Sequence, residues 1–279
     1  MREINDLLVS PDWLVTHHAD PDVRVLDPRR LPEEYAKGHV PGALSTSTPF
    51  KDPDAPLHVM TAAQAQEAFR ALGISDRTTV IVMGDGMLSG RVWFVLRLYG
   101  HRNTRISDGG YAAYLAAGGP SSTDTPAISP GTFTARGPDE SLIVRAGDLV
   151  KEVGTGTKIL DVRSVAEWQG RNIDHARIGH VPGARHLLWT ELLTKDQPWL
   201  FRSPEEIREI AASCGVGPDD RVVTICEVGW RASHSAFALR LAGFRDVRVY
   251  DASMREWDND SSLPLEPPAA AGDGQASTL

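Results

Sequence analysis

Apolar positions along the chain follow two alternating patterns. Short runs rich in β-branched residues predict buried strands at 23–26, 79–83, 159–160, 222–225 and 247–250. Longer stretches with apolar residues at helical spacing predict helices at 61–72, 92–99, 204–213 and 232–241. Thr61 and Ser203 fit helix N-caps, and Gly73 and Gly215 stand where helices should end. Alternating strands and helices predict an α/β fold with a mostly parallel sheet covered on both faces.

The same pattern occurs twice. Gly-His-Val-Pro-Gly-Ala at 38–43 returns unchanged at 179–184, and Leu-Asp-Pro-Arg at 26–29 corresponds to Leu-Asp-Val-Arg at 160–163. The offset between the copies rises from 134 (161 − 27) to 141 (179 − 38), which locates seven extra residues of the second copy within 164–178. Matches in one order at a nearly constant offset indicate two homologous domains.

The repeats set the expected domain boundaries. We expect a first domain at 1–120, a linker at 121–141, a second domain at 142–266 and a flexible tail at 267–279. The linker assignment rests on a stretch rich in Gly, Pro, Ser and Thr, and the tail assignment on its Pro, Ala and Gly content.

Composition narrows the function classes. The chain has 279 residues, 41% of them hydrophobic and 24% charged, as is typical of a globular protein. Its net charge of −8 argues against a nucleic-acid or anionic-membrane surface. Two cysteines give no disulfide framework, the first six residues lack an apolar signal core, and no apolar run has transmembrane length. These features predict a cytoplasmic protein with free thiols.

The candidate chemistry lies at Cys226. This thiol follows the apolar run 222–225 and precedes a helical pattern, with Gly229 at the turn between them. Unpaired N–H groups at the helix start, together with the guanidinium of Arg231, favour a thiolate and therefore a nucleophilic sulfur. The alternative is a buried structural cysteine. Cys214 lies at a helix end without such a loop, so we interpret it as a packed structural thiol.

These motifs resemble those of the rhodanese family, specifically the tandem-domain sulfurtransferases of the thiosulfate and 3-mercaptopyruvate type. The resemblance extends from Val9 to about Glu266 and includes both Gly-His-Val-Pro-Gly-Ala motifs and the Cys-x-x-Gly-x-Arg loop of the second half. It implies two tandem rhodanese-like domains, each a mostly parallel sheet flanked by helices. The first would be non-catalytic, because the position of Cys226 falls there on Gly84 or Asp85, and the second would be catalytic.

The resemblance also implies a mechanism. Cys226 would take the outer sulfur of a small-molecule donor as a persulfide, and a thiol, sulfite, cyanide or a sulfur-accepting protein would remove it. Binding of the donor is assigned to the loop and to two arginines outside it: Glu227, Val228, Gly229, Trp230, Arg231, Arg185 and Arg177. Arg231 either braces the loop or pairs with the donor. No cofactor or metal is implied, and no nucleic acid or membrane is expected as a partner.

The loop favours thiosulfate as the donor and leaves 3-mercaptopyruvate as the alternative. Arg231 replaces the Thr of the mercaptopyruvate pattern, and the Ser of that pattern is absent. The negative charge of Glu227 disfavours binding of a dianionic donor, and Trp230 places a bulky side chain on the rim of the loop. Two further alternatives are a cysteine phosphatase and a non-catalytic regulatory module. The first needs a loop one residue longer, and the second is disfavoured by the presence of Cys226.

Overall fold

Two five-stranded parallel sheets form the framework. The structure, a computed structural model, describes residues 7–46, 49–84, 86–171, 174–196 and 200–268. The first sheet has the order β1-β5-β4-β2-β3 and comprises β1 (Leu8–Val9), β2 (Val23–Asp27), β3 (Leu44–Ser45), β4 (Thr79–Met83) and β5 (Thr104–Ser107). The second repeats that order as β6-β10-β9-β7-β8, with β6 (Ile143–Val144), β7 (Lys158–Asp161), β8 (Arg185–His186), β9 (Arg221–Ile225) and β10 (Asp246–Tyr250). The predicted fold class and internal repeat are confirmed.

Five helices accompany each sheet in the described part of the chain. The first domain has α1 (Pro11–His17), α2 (Pro32–Lys37), α3 (Ala62–Ala71), α4 (Met87–Leu98) and α5 (Gly110–Ala116). The second has α6 (Ala146–Glu152), α7 (Val165–Trp168), α8 (Pro204–Ser213), α9 (Trp230–Leu241) and α10 (Ser253–Trp257). Thr61 and Ser203 form capping boxes at the starts of α3 and α8. Within the described ranges, no helix combines the length and the apolar character needed to cross a membrane.

The repeated Asp-x-Arg motif fixes the loop after the second strand of each domain. Arg29 forms an ion pair with Asp27 and donates to the Gly38 carbonyl at 2.7 Å. Arg163 does the same with Asp161 and, at 3.0 Å, with the Gly179 carbonyl. Each arginine therefore joins a strand end to the Gly-His-Val-Pro-Gly-Ala motif of its own domain.

The two domains meet along α4 and α9. A Cβ on Gly90 of α4 would lie 2.3 Å from the His234 Cα of α9, so the two helices touch at backbone distance. Trp93 packs edge-on against Phe237, with ring centroids 5.0 Å apart. One apolar cluster contains residues from both domains, and a smaller separate cluster lies within each domain. The interface therefore belongs to the hydrophobic core.

The segment expected to be a linker, 121–141, packs along the first domain. Phe133 is buried, the Gly131 N–H donates to the Arg70 carbonyl at 2.8 Å, and the Arg136 N–H donates to the Tyr99 carbonyl at 3.0 Å. Of the tail at 267–279, only residues 267–268 lie within the described residues, and the six N-terminal residues lie outside them.

Candidate active site

Cys226 lies between the carboxyl end of the central strand β9 and the start of α9, and only 1% of it is exposed. Its Sγ accepts a hydrogen bond from the Gly229 N–H at 3.1 Å. Gly229 has a φ of +85°, and a Cβ there would lie 2.4 Å from the Asp251 carbonyl oxygen, so the turn requires glycine. The first N–H groups of α9 follow directly and have no acceptor within the helix.

The start of α10 holds the backbone of the cysteine. The Cys226 N–H donates to Ser253 Oγ at 3.0 Å, and the Met254 N–H donates to the Cys226 carbonyl at 3.0 Å. Ser253 Oγ lies 4.0 Å from Cys226 Sγ. Ser253 has a φ of +55°, and Gly110 has a φ of +59° at the equivalent place in the first domain. At this position the second domain therefore has a strained serine, whereas the first has an unstrained glycine. The serine hydroxyl accepts the hydrogen bond from the Cys226 N–H.

Arg231 braces the loop from the side of α7. Its Nη1 and Nη2 lie 2.6 and 2.7 Å from the two carboxylate oxygens of Glu167. Burial acts to raise the pKa of Glu167, but hydrogen bonds from Arg231 and Ser164 outweigh it and lower that pKa to about 2. The pair is therefore ionised at neutral pH. Its contacts fit the bracing role expected for Arg231, and the donor-binding role stays a prediction.

The first domain reaches the Cys226 loop through Asp251. Lys51 Nζ lies 3.0 Å from Asp251 Oδ2, and the fully buried Arg91 pairs with Asp251 Oδ1. Burial and the neighbouring Arg91 lower the pKa of Lys51 to about 8, whereas Asp251 and Cys226 act to raise it. Asp251 also contacts Gly229, so two first-domain cations act on the residue that shapes the turn beside the sulfur.

Glu227 is part of a charged cluster. Its Oε1 lies 2.7 Å from His175 Nε2 and 3.1 Å from Arg255 Nε. His175 Nδ1 contacts Asp258 Oδ2 at 2.8 Å. His175 and Arg255 therefore offset the repulsion of anionic donors that was expected from Glu227. Neither partner could be identified from the position of Glu227 in the sequence. Val228 and Trp230 complete the loop, and both are half-buried.

The two arginines outside the loop differ in their surroundings. Arg177 donates to the carbonyls of Trp257, Asp258 and Leu263, at 2.8, 3.1 and 2.9 Å. These bonds tie the inserted segment, the stretch 164–178 that is seven residues longer in the second copy, to the end of α10 and the loop after it. Arg185 is exposed on the edge strand β8, and no hydrogen bond or ion pair joins its side chain to another described residue. Its charge acts to lower the pKa of the Cys214 thiol, which burial raises overall. A binding role for either arginine stays a prediction.

Gly84, the first-domain residue that corresponds to Cys226 by its place after the strand, has no room for a side chain. Gly84 follows β4 as Cys226 follows β9, and a Cβ on Gly84 would lie 2.4 Å from the Ser107 carbonyl oxygen. Asp85, the other candidate for this position, lies outside the described residues. Across the described ranges, no group of three or more His, Cys, Asp or Glu side chains could hold a metal ion.

Several site residues were missed at the level of sequence. His175 lies within 164–178, the stretch in which the second copy has seven extra residues, so the change in repeat offset was a usable signal for it. Asp251 ends a repeated Arg-x-x-Asp segment, but its equivalent Asp108 gave no sign of function. Lys51 and Arg91 belong to the other domain, and no spacing within the chain links them to Cys226.

Comparisons with known proteins agree with this geometry. The rhodanese-like domain family matches residues 10–117 and 145–260. A sulfur carrier protein, TtuD of Thermus thermophilus, is 31% identical over 93% of this chain and 96% of its own length. A Haloferax volcanii protein provisionally named a thiosulfate sulfurtransferase is 29% identical over 94% of this chain and 96% of its own.

A solved structure shows the same architecture. SseA from Escherichia coli, described as a 3-mercaptopyruvate sulfotransferase, is 26% identical, has a TM-score of 0.79 and is matched over 88% of this chain and 98% of that chain. The chain therefore belongs to the rhodanese family, as one of its tandem-domain sulfurtransferases. Its substrates are accordingly a sulfur donor and a sulfur acceptor.

Proposed function

We propose that this protein moves sulfane sulfur from a small anionic donor, with thiosulfate favoured, to a thiophilic acceptor through a persulfide on Cys226. The observation that carries the proposal is the Gly229 N–H donating to Cys226 Sγ at the start of α9. The nucleophile is a sulfur anion in both half-reactions, so backbone donors serve it throughout. Lys51 and Arg231 add positive charge, since the charge on Cys226 acts to raise the pKa of each.

The reaction consists of two displacements. The Cys226 thiolate attacks the outer sulfur of thiosulfate, the sulfur–sulfur bond of the donor breaks, and its electron pair leaves with sulfite. The cysteine then carries one additional sulfur as an anionic persulfide. An acceptor such as cyanide attacks that outer sulfur, the Cys226 sulfur takes back the electron pair, and thiocyanate leaves.

The donor and the acceptor have separate support. The Haloferax volcanii relative is named for thiosulfate and the Escherichia coli structure for 3-mercaptopyruvate, so the latter is the alternative donor. The Thermus thermophilus relative is named a sulfur carrier protein, which supports a sulfur-accepting protein as a physiological acceptor beside thiols, sulfite and cyanide. Both cysteines are free, which fits a reducing compartment, and we propose the cytoplasm.

Arg185 is proposed to bind the donor, and Arg177 to hold the insertion in place. Loss of a charge-assisted contact typically costs about 1.5–3 kcal/mol, so Arg185→Ala should slow persulfide formation by about 10- to 100-fold. Discharge of a preformed persulfide by cyanide should change much less. Arg177→Ala should instead lower the melting temperature, because the carbonyls at the end of α10 lose their donor.

Rapid-mixing kinetics of each half-reaction, with thiosulfate and with 3-mercaptopyruvate, measure these effects. Equal losses in both half-reactions for Arg185→Ala, or none in either, would remove Arg185 from the site. A higher rate constant for persulfide formation with 3-mercaptopyruvate than with thiosulfate would make it the donor.

A further inference from the structure

His175 is enclosed between two acids beside the nucleophile. Only 1% of its side chain is exposed, its Nε2 lies 2.7 Å from Glu227 Oε1, and its Nδ1 lies 2.8 Å from Asp258 Oδ2. Ionised carboxylates only accept hydrogen bonds, whereas a neutral imidazole has a single N–H. Both contacts are hydrogen bonds only if the three groups hold one additional proton, as an imidazolium or as one protonated carboxyl. In either arrangement the trio carries a net charge of −1.

The surrounding charges complete a neutral cluster. Arg255 Nε lies 3.1 Å from Glu227 Oε1, which brings the four groups to a net charge of zero. Arg163, in the loop after β7, and Arg177 act on Asp258 electrostatically, and the thiol of Cys226 precedes Glu227 directly. Glu227 is therefore next to Cys226, but its partners cancel the negative electrostatic field that its charge alone would produce there.

The insertion that supplies His175 occurs only in the copy that has the thiol. It is fixed to α10 by the Asp174 carbonyl, which accepts from Arg255 at 2.8 Å, and by the Ala176 N–H, which donates to Asn259 at 3.1 Å. Contacts with α10 and the residues after it thus fix the segment that carries His175. His175 in turn contacts Glu227 and fixes its side chain. This arrangement links the one acidic side chain of the Cys226 loop to the inserted segment.

We propose that His175 is a positioning residue that sets charge specificity: it holds Glu227 and neutralises it, so that an anionic reagent can approach Cys226. The inference rests on the proposed function only in taking Cys226 as the nucleophile. Without that additional proton, the charge beside the sulfur would be more negative, and the preference for anionic reagents would fall.

Alkylation tests this charge effect without sulfur transfer. The Cys226 thiolate attacks the CH2 carbon of both iodoacetate and iodoacetamide and displaces iodide. The two reagents differ by one negative charge, so the ratio of their rate constants reports the field at Cys226 and cancels its thiolate fraction. In a Cys214→Ser background, His175→Gln should lower the iodoacetate to iodoacetamide ratio about fivefold, as expected for one charge at a partly exposed site. His17→Gln, in α1 of the first domain, is the matched control and should leave the ratio unchanged.

A double-mutant cycle separates the proposed route from a general loosening of the site. In a Glu227→Gln background, His175→Gln should lower the ratio much less, because the carboxylate next to Cys226 is gone and the remaining one, Asp258, is fully buried. An unchanged ratio in the single His175 variant, or an equal fall in both backgrounds, would overturn the proposal.

His175→Asn is the second variant, in case His175→Gln does not fold. It also removes the imidazole, so it should lower the ratio about fivefold as well. An unchanged ratio in this variant would contradict the proposal. Failure to form a persulfide would refute the proposed function and leave this result intact.

Discussion

At the scale of single residues, the nucleophile depends on two left-handed backbone conformations. Gly229 turns its N–H towards the sulfur, and Ser253 places its hydroxyl on the Cys226 N–H. The left-handed conformation costs a serine of the order of 1–3 kcal/mol, whereas glycine adopts it freely. Of these two residues, only Ser253 is strained, and it is also the one whose side chain contacts Cys226.

His234 makes stability depend on pH. It is fully buried at the domain interface between Phe201 and Trp189, and neither ring nitrogen has a hydrogen-bond partner among the described residues. Burial lowers the pKa of His234 to about 4, against 6.5 for the free side chain. Between these values the unfolded chain binds more protons than the folded one, so stability falls as the pH drops through this window, by about 2 kcal/mol at pH 5.

Thermal unfolding between pH 7 and pH 5 measures this contribution. His234→Leu removes the titrating ring at similar volume, so the fall in melting temperature over this range should be smaller by roughly 4 °C. His17→Gln should retain the full fall. A slope in His234→Leu equal to that of the unmodified protein would show that other groups cause it.

Residues of the loop could be identified from the sequence because their chemistry is local. Cys226, Gly229 and Arg231 fall within one strand–turn–helix pattern. His175 and Lys51 could not be assigned, because their roles depend on contacts that span 52 and 200 positions of the chain, with Glu227 and Asp251 respectively. Burial and pairing, which decide what a charged side chain does, are set by tertiary packing.

At the scale of elements, α4 and α9 define the joint between the domains. The apolar pattern predicted that the first of these helices begins at residue 92, but it begins at Met87. Ser89 and Gly90 are weak helix formers and gave no apolar signal, yet both are buried there. Close contact with α9 selects small residues at these positions, so interface geometry overrides helix propensity.

Gly90→Ala tests the close approach of these helices. The added Cβ would lie 2.3 Å from His234 Cα, which forces α4 and α9 apart and should destabilise the protein by about 1–3 kcal/mol. Gly147→Ala is the matched control, because Gly147 is exposed on α6 and its Cβ would meet nothing within 4 Å. It should be neutral or stabilising by up to about 1 kcal/mol. Equal denaturation midpoints for the two variants would contradict the packing described.

At the scale of the whole molecule, the first domain has no thiol and contacts the residue that shapes the Cys226 loop of the second. Lys51 and Arg91 both bind Asp251, whose backbone carbonyl lies against Gly229. The duplication therefore provides one domain with the nucleophile and another with buried cations. The repeat and the fold of both domains were evident from the sequence. The contribution of first-domain cations to the Cys226 loop was not, because it depends on contacts between the domains.

Lys51→Gln measures what the first domain contributes. Loss of one charge near the sulfur should lower kcat/KM for an anionic donor roughly five- to tenfold. The unmodified protein should also lose activity as Lys51 deprotonates above about pH 8, and the variant should lack that step. Lys37→Gln, exposed at the end of α2, is the control and should change neither quantity. A pH profile shared by both variants would exclude Lys51.

Intact-mass measurement after incubation with thiosulfate tests the central claim, sulfur transfer through Cys226, most directly. The unmodified protein and Cys214→Ser should gain the mass of one sulfur atom and lose it again when cyanide is added. Cys226→Ser should gain nothing, because an oxygen nucleophile cannot form the persulfide. A sulfur retained by Cys226→Ser and absent from Cys214→Ser would contradict the account.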